Sequence, residues 1–153
     1  MTDTTPIDAQ LQAEVTAVVT RYATGIDTRD WALFRSAFTD DAVVDYGPMM
    51  GSWTRADDFA AFMRETHAPA GLSVHRMTNV VVSLEGETIR ARTYGDALLQ
   101  YREDPSTYDH SAGYYDDVLV RTLDGLKIAS RTTTTVIYEH GSGNLAAGAD
   151  LPV

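Results

Sequence analysis

Residues 73 to 80, Ser-Val-His-Arg-Met-Thr-Asn-Val, set one histidine and one asparagine in a run that continues as Val-Val-Ser-Leu. A free imidazole titrates near pH 6.5 (roughly), so His75 is suited to proton transfer at working pH. In an extended chain alternate residues share a face. His75, Met77, Asn79, Val81 and Ser83 then fall on one side, and Val74, Arg76, Thr78, Val80, Val82 and Leu84 on the other. Two readings stay open: the half-polar wall of a cavity, or a surface histidine on an ordinary strand. Asp27 is the second candidate. It follows the apolar stripe of a helix by one residue, where the negative end of the helix dipole disfavours a carboxylate. It is either a solvated acid or one placed there for use. Asp30 has a structural explanation as the N-cap of the next helix. Asp40, Asp41, Asp116 and Asp117 read as solvated or turn acids. Tyr22 lies in the middle of the apolar stripe, and a buried tyrosine needs a partner for its hydroxyl. Asp96 interrupts a strand-like run and needs pairing if buried. Arg131 either supplies that pairing or sits on a rim. His110 begins a later strand and is a candidate for contact with a pocket; His67 and His140 flank loops and read as surface.

Composition narrows the chemistry. With no cysteine, disulfides, thiolate metal sites and a cysteine nucleophile are all excluded. There is no His-x-x-x-His on a helix and no His-x-His on a strand, so no metal is expected. A Gly-rich phosphate loop, G-x-S-x-G and S-x-x-K are also missing. Acid–base work on a bound small molecule remains, without a cofactor. The 22 acidic against 12 basic residues give a net charge of −10, which repels phosphate backbones and argues against a nucleic-acid partner. The N-terminus has neither a basic region nor an apolar run, and no stretch is long enough to span a membrane. A cytoplasmic location is the expectation, with no membrane partner.

The elements that must position these residues change character halfway along. Residues 7 to 26 place Ile7, Leu11, Val15, Val18, Val19, Tyr22 and Ile26 at steps of three and four, an amphipathic helix. Asp30 opens a short helix over Trp-Ala-Leu-Phe, and Thr-Asp-Asp-Ala-Val-Val-Asp-Tyr-Gly reads as a short strand. Thr54 followed by Asp57 resembles a capping signal for a helix over about 55 to 67. Four long strands follow at 73 to 84, 87 to 102, 111 to 122 and 126 to 139, with hairpin turns at Glu85-Gly86 and Asp124-Gly125. Helices first and a meander after predict an α+β domain with helices on one face of a bent sheet. Gly95 and Gly113 are candidate bend or bulge points. One domain spans the chain, its core over about 8 to 139 and a flexible tail over 140 to 153.

Three stretches together carry a resemblance: the helix end Tyr-Ala-Thr-Gly-Ile-Asp with Asp-Trp after it, the His-x-x-x-Asn strand, and the Asp-Gly-x-x-Ile-x-x-Arg hairpin. They resemble the SnoaL-like branch of the nuclear transport factor two superfamily, over about residues 8 to 139. The resemblance implies a cone-shaped α+β barrel, with N-terminal helices packed on a strongly curved, mostly antiparallel sheet that encloses an apolar pocket. Its dehydratase and dehydrochlorinase members imply an Asp–His acid/base pair at Asp27 and His75, with Tyr22 and Arg131 as helpers and an acid near Asp96. Tyr46, Trp53, Phe62, Met77, Asn79 and His110 would touch substrate. A lysine that precedes the acid in the dehydrochlorinase is missing, so dehydration is favoured over dehydrochlorination. The implied function is a cofactor-independent lyase acting on a hydrophobic cyclic or polycyclic molecule. Alternatives are a steroid or polyketide isomerase or cyclase, and a non-catalytic binding or assembly subunit. Relatives imply a homodimer or homotrimer.

Overall fold

A computed structural model describes residues 7–143. Helix α1 (Ala9–Asp27) opens on Asp8, whose carboxylate accepts from the Gln10 N–H, and buries Leu11, Val15, Val18, Val19, Tyr22 and Ile26. Each such side chain contributes about 1.5–3 kcal/mol on burial, so packing on the sheet holds this helix. The short α2 (Trp31–Arg35) is capped by Asp30, as the sequence predicts, through a 2.9 Å bond to the Leu33 N–H. A Cβ at Gly25 would collide with the Phe34 backbone, so glycine is what lets α1 and α2 touch. Strand β1 (Phe38–Asp45) follows, then a helical turn α3 (Gly47–Met50), a two-residue strand β2 (Ser52–Trp53) and α4 (Ala56–Thr66). The capping signal at Thr54 is not realised: α4 starts one residue later, Arg55 holds the cap position, and no side chain caps it.

The long strands are β3 (Ala70–Glu85), β4 (Thr88–Tyr101), β5 (Thr107–Thr122) and β6 (Gly125–Ser142). The sheet runs in the order β2-β1-β6-β5-β4-β3, and among the described residues only β1 and β6 pair parallel. It stays open, with β2 and β3 as edges. Both hairpin turns carry the expected glycine with positive φ, Gly86 at 62° and Gly125 at 98°. The strands outrun their predicted ends. Thr107–His110 belong to β5, and residues 140 to 142, assigned to the tail, are the end of β6; residues 144 to 153 lie outside the described region.

Five register shifts interrupt the strand pairing among the described residues, and two of them bear on the predictions made from the sequence. One falls in β6 opposite Ala112 and Gly113, and so beside a glycine predicted to mark one. The other, in β3 between Thr78 and Val81, has no forewarning in the sequence. Asn79 is the extra residue there, with φ 48°, a left-handed backbone that asparagine tolerates better than most. An extra residue reverses the alternation. Ser73, His75 and Met77 face the helices before the bulge, and Val80 and Val82 face them after it. Asn79 and Val81 are exposed instead of sharing the His75 face.

A candidate acid–base site between α1 and β3

Asp27 ends α1 and His75 lies on β3, 48 positions later, yet Asp27 Oδ1 accepts from His75 Nδ1 at 2.7 Å. The same oxygen accepts from Ser73 Oγ at 2.9 Å, and Oδ2 accepts from the His75 backbone N–H at 2.8 Å. A carboxylate oxygen only accepts, so Nδ1 carries the proton and Nε2 of the neutral ring presents a lone pair. Burial pushes the Asp27 carboxyl up, but the bonds and charge from His75, its N–H and Ser73 outweigh this and hold it below its ordinary value. The helix dipole that made an acid here unfavourable is thus offset by donors from β3. The His75 side chain is 6% exposed and that of Asp27 is 23%.

Sequence reasoning missed two supporting residues. Ser73 shares the His75 face by alternation, a signal available but unused. Arg29 gave none: it adopts φ 58°, and its guanidinium donates to Ser73 Oγ at 2.8 Å and to the Gly71 carbonyl at 3.1 Å, tying the end of α1 to β3.

Tyr22 sets its ring perpendicular to His75, with centroids 6.5 Å apart. Its hydroxyl has the partner a buried phenol requires, Tyr46 Oη at 2.6 Å. Burial, with the neighbouring Tyr115 and Tyr46 phenols, raises the Tyr22 pKa well above its ordinary value, so it remains a donor. Arg131 lies neither on a rim nor beside Asp96. It is fully buried and clamped by Asp117 through two 2.7 Å bonds. Its guanidinium is stacked between Tyr22 and Tyr115 at 4.4 and 4.3 Å from their centroids. Asp117 is therefore not the solvated acid its sequence context implied; its register opposite Arg131 points it inward. Nor is His67 a surface residue. It is buried at the end of α4, donates from Nδ1 to the Met63 carbonyl at 2.8 Å, and lies 6.2 Å from the His75 ring centre.

Of the remaining candidates, Tyr46, Trp53 and Phe62 form one aromatic cluster, with Trp53 4.5 Å from Phe62 and 6.3 Å from Tyr46. Met77 packs against the same core. Asp96 and His110 do not join the site. Asp96 is the cross-strand partner of Arg76, the neighbour of His75, and so points to the opposite face. There it bonds Arg76 and His110, each at 3.0 Å.

Comparison with known proteins follows the same outline. A family model described as SnoaL-like domain matches residues 8–132. An uncharacterised protein of Mycobacterium tuberculosis is 26% identical over 121 residues, 79% of this chain and 82% of its own. Among solved structures, a hexachlorocyclohexane dehydrochlorinase superposes with TM-score 0.78 at 15% identity, over 93% of this chain and 96% of that one. A protein proposed as a scytalone dehydratase from Novosphingobium aromaticivorans superposes with TM-score 0.74 at 18% identity, over 90% and 94%.

Proposed function

The chain belongs to the SnoaL-like domain family, and from that premise we propose that it is a cofactor-independent lyase that dehydrates a hydrophobic cyclic alcohol. The observation that carries the reading is the 2.7 Å bond from His75 Nδ1 to Asp27. It fixes the tautomer, leaves Nε2 as base, and stabilises the imidazolium formed by proton transfer, the orienting role of an aspartate beside a catalytic histidine. His75 removes a proton next to an activating carbonyl. The electron pair forms the C=C bond, and the departing hydroxyl takes a proton back from the imidazolium and leaves as water. The Tyr22–Tyr46 hydroxyl pair supplies the donor for the carbonyl, and Arg131 holds Tyr22 from behind through its ring. Names of fold neighbours, a dehydrochlorinase and a proposed dehydratase, support an elimination.

The test is a panel of cyclic β-hydroxy ketones assayed by mass spectrometry for loss of one water. His75→Ala and Asp27→Asn should each lower kcat/KM by about 10²–10⁴-fold while leaving the circular dichroism unchanged. Wild-type turnover in either variant rejects the mechanism. Product of unchanged mass, dependent on His75, assigns an isomerase instead.

A further inference from the structure

Two cross-strand rows cross the face of the sheet that carries His75, from the proposed base toward β6, where that face is open to solvent. One runs His75, Ala97, Ser111, Tyr138; the next runs Ser73, Leu99, Asp109, His140. Both start at the Asp27 carboxylate, which bonds Ser73 and His75. The second row ends on another Asp–His pair. Asp109 Oδ1 accepts from His140 Nδ1 at 2.7 Å, and Oδ2 accepts from the Tyr101 hydroxyl at 2.7 Å. By the argument used for His75, His140 carries its proton on Nδ1 and presents Nε2 as an acceptor when neutral. The two pairs differ in cover: the His140 side chain is 59% exposed, against 6% for His75. Three strand spacings separate the ends of the row, on the order of 14 Å.

We propose that Asp109–His140 is a second polar anchor for the same substrate. The molecule would be a flat compound of about three fused rings with a hydroxyl at the end remote from the reacting carbon, donated to His140 Nε2. The inference rests on the Asp27–His75 reading for the other end of the molecule. Asp109 strengthens His140 as an acceptor by polarising its ring, as a carboxylate does for a histidine bound to a metal.

The probes are 2-hydroxyanthraquinone and 2,6-dihydroxyanthraquinone, which share a frame and differ in the far hydroxyl. Binding is read from quenching of Trp31 and Trp53 fluorescence. The wild type should hold the dihydroxy probe about tenfold more tightly. In His140→Ala and Asp109→Asn its affinity should fall to that of the monohydroxy probe, which stays unchanged; thermal unfolding checks that both variants are folded. Equal affinity of the two probes in wild type, a preference that survives His140→Ala, or no binding of either probe overturns the proposal. His75→Ala should keep the preference, so a failure of the anchor and a failure of the catalytic reading are separately visible.

Discussion

At the scale of single residues, the buried Arg131–Asp117 pair is the sharpest commitment in the molecule. Both side chains are fully buried, and Asp117 accepts from Nε and Nη2 of the guanidinium, whose Nη1 has no hydrogen-bond partner among the described residues. Asp117→Asn therefore leaves an uncompensated guanidinium in the core, and a loss of about 3–5 kcal/mol is expected in chemical denaturation. The double substitution Asp117→Leu with Arg131→Met should recover most of that loss, because well-packed apolar residues replace such a pair at little cost. A loss under about 1 kcal/mol in Asp117→Asn would refute the account. Asp27 and His75 could be singled out from a helix end and a strand, but the residues alone left them as candidates, and their pairing came from the resemblance to the SnoaL-like branch. The partner of Arg131 was not legible. Asp116 and Asp117 look alike as a dipeptide, and one of them lies outside, paired with Arg92. The missed signal was phase: Asp117 alternates with Tyr115 and Leu119, both part of the core packing. Asp96 escapes sequence reasoning for the same reason, since its strand register against Arg76, not its distance along the chain from His75, decides its face.

At the scale of elements, periodicity and turn glycines revealed both hairpins and the main helix. The small pieces α3 and β2 left no trace, because four and two residues are too few to show a period. The β3 bulge was equally hidden. Nothing in Thr-Asn-Val announces an extra residue, and it only becomes visible once β4 supplies the register. His67, at the C-terminal end of α4, gives this scale its prediction. Burial pushes its pKa down to about 4 from the ordinary 6.5, against the opposing bond to the Met63 carbonyl. Between pH 6.5 and about 4 the unfolded chain binds a proton at this position that the folded chain refuses. Stability should therefore be full above that window and fall as pH falls through it, by up to about 3 kcal/mol from this group. Urea denaturation at pH 7 and pH 4.5 (both roughly chosen to straddle the window) should show a smaller acid loss in His67→Gln than in the wild type. Equal losses would mean that His67 is as free to protonate as a solvated histidine.

For the whole molecule, the long strands leave an outer face that carries Val74, Val81, Tyr94 and Ile137, each 43% exposed or more. These apolar side chains stand among the Arg76–Asp96 and Arg92–Asp116 ion pairs of the same face, and we propose that copies of the chain associate there, as the expected homodimer or homotrimer. Sedimentation should give a multiple of the 16.7 kDa chain mass, reduced to one chain by Tyr94→Asp with Ile137→Asp. The net charge of −10 on every copy opposes association, so added salt should favour it. A monomeric wild type at high salt removes the proposal. The parallel pairing of β1 with β6 sets Val44 beside Arg131, joining the first strand to the last. This has a consequence in time. A chain released from denaturant can form its hairpins early, since their contacts are local, whereas β1 must wait until β6 exists and the long loop between them closes. Phe38 of β1 is among the rings around Arg131. The guanidinium, Tyr22 and the base they support should therefore assemble in the last act of folding, so that recovery of turnover during refolding times the completion of the sheet.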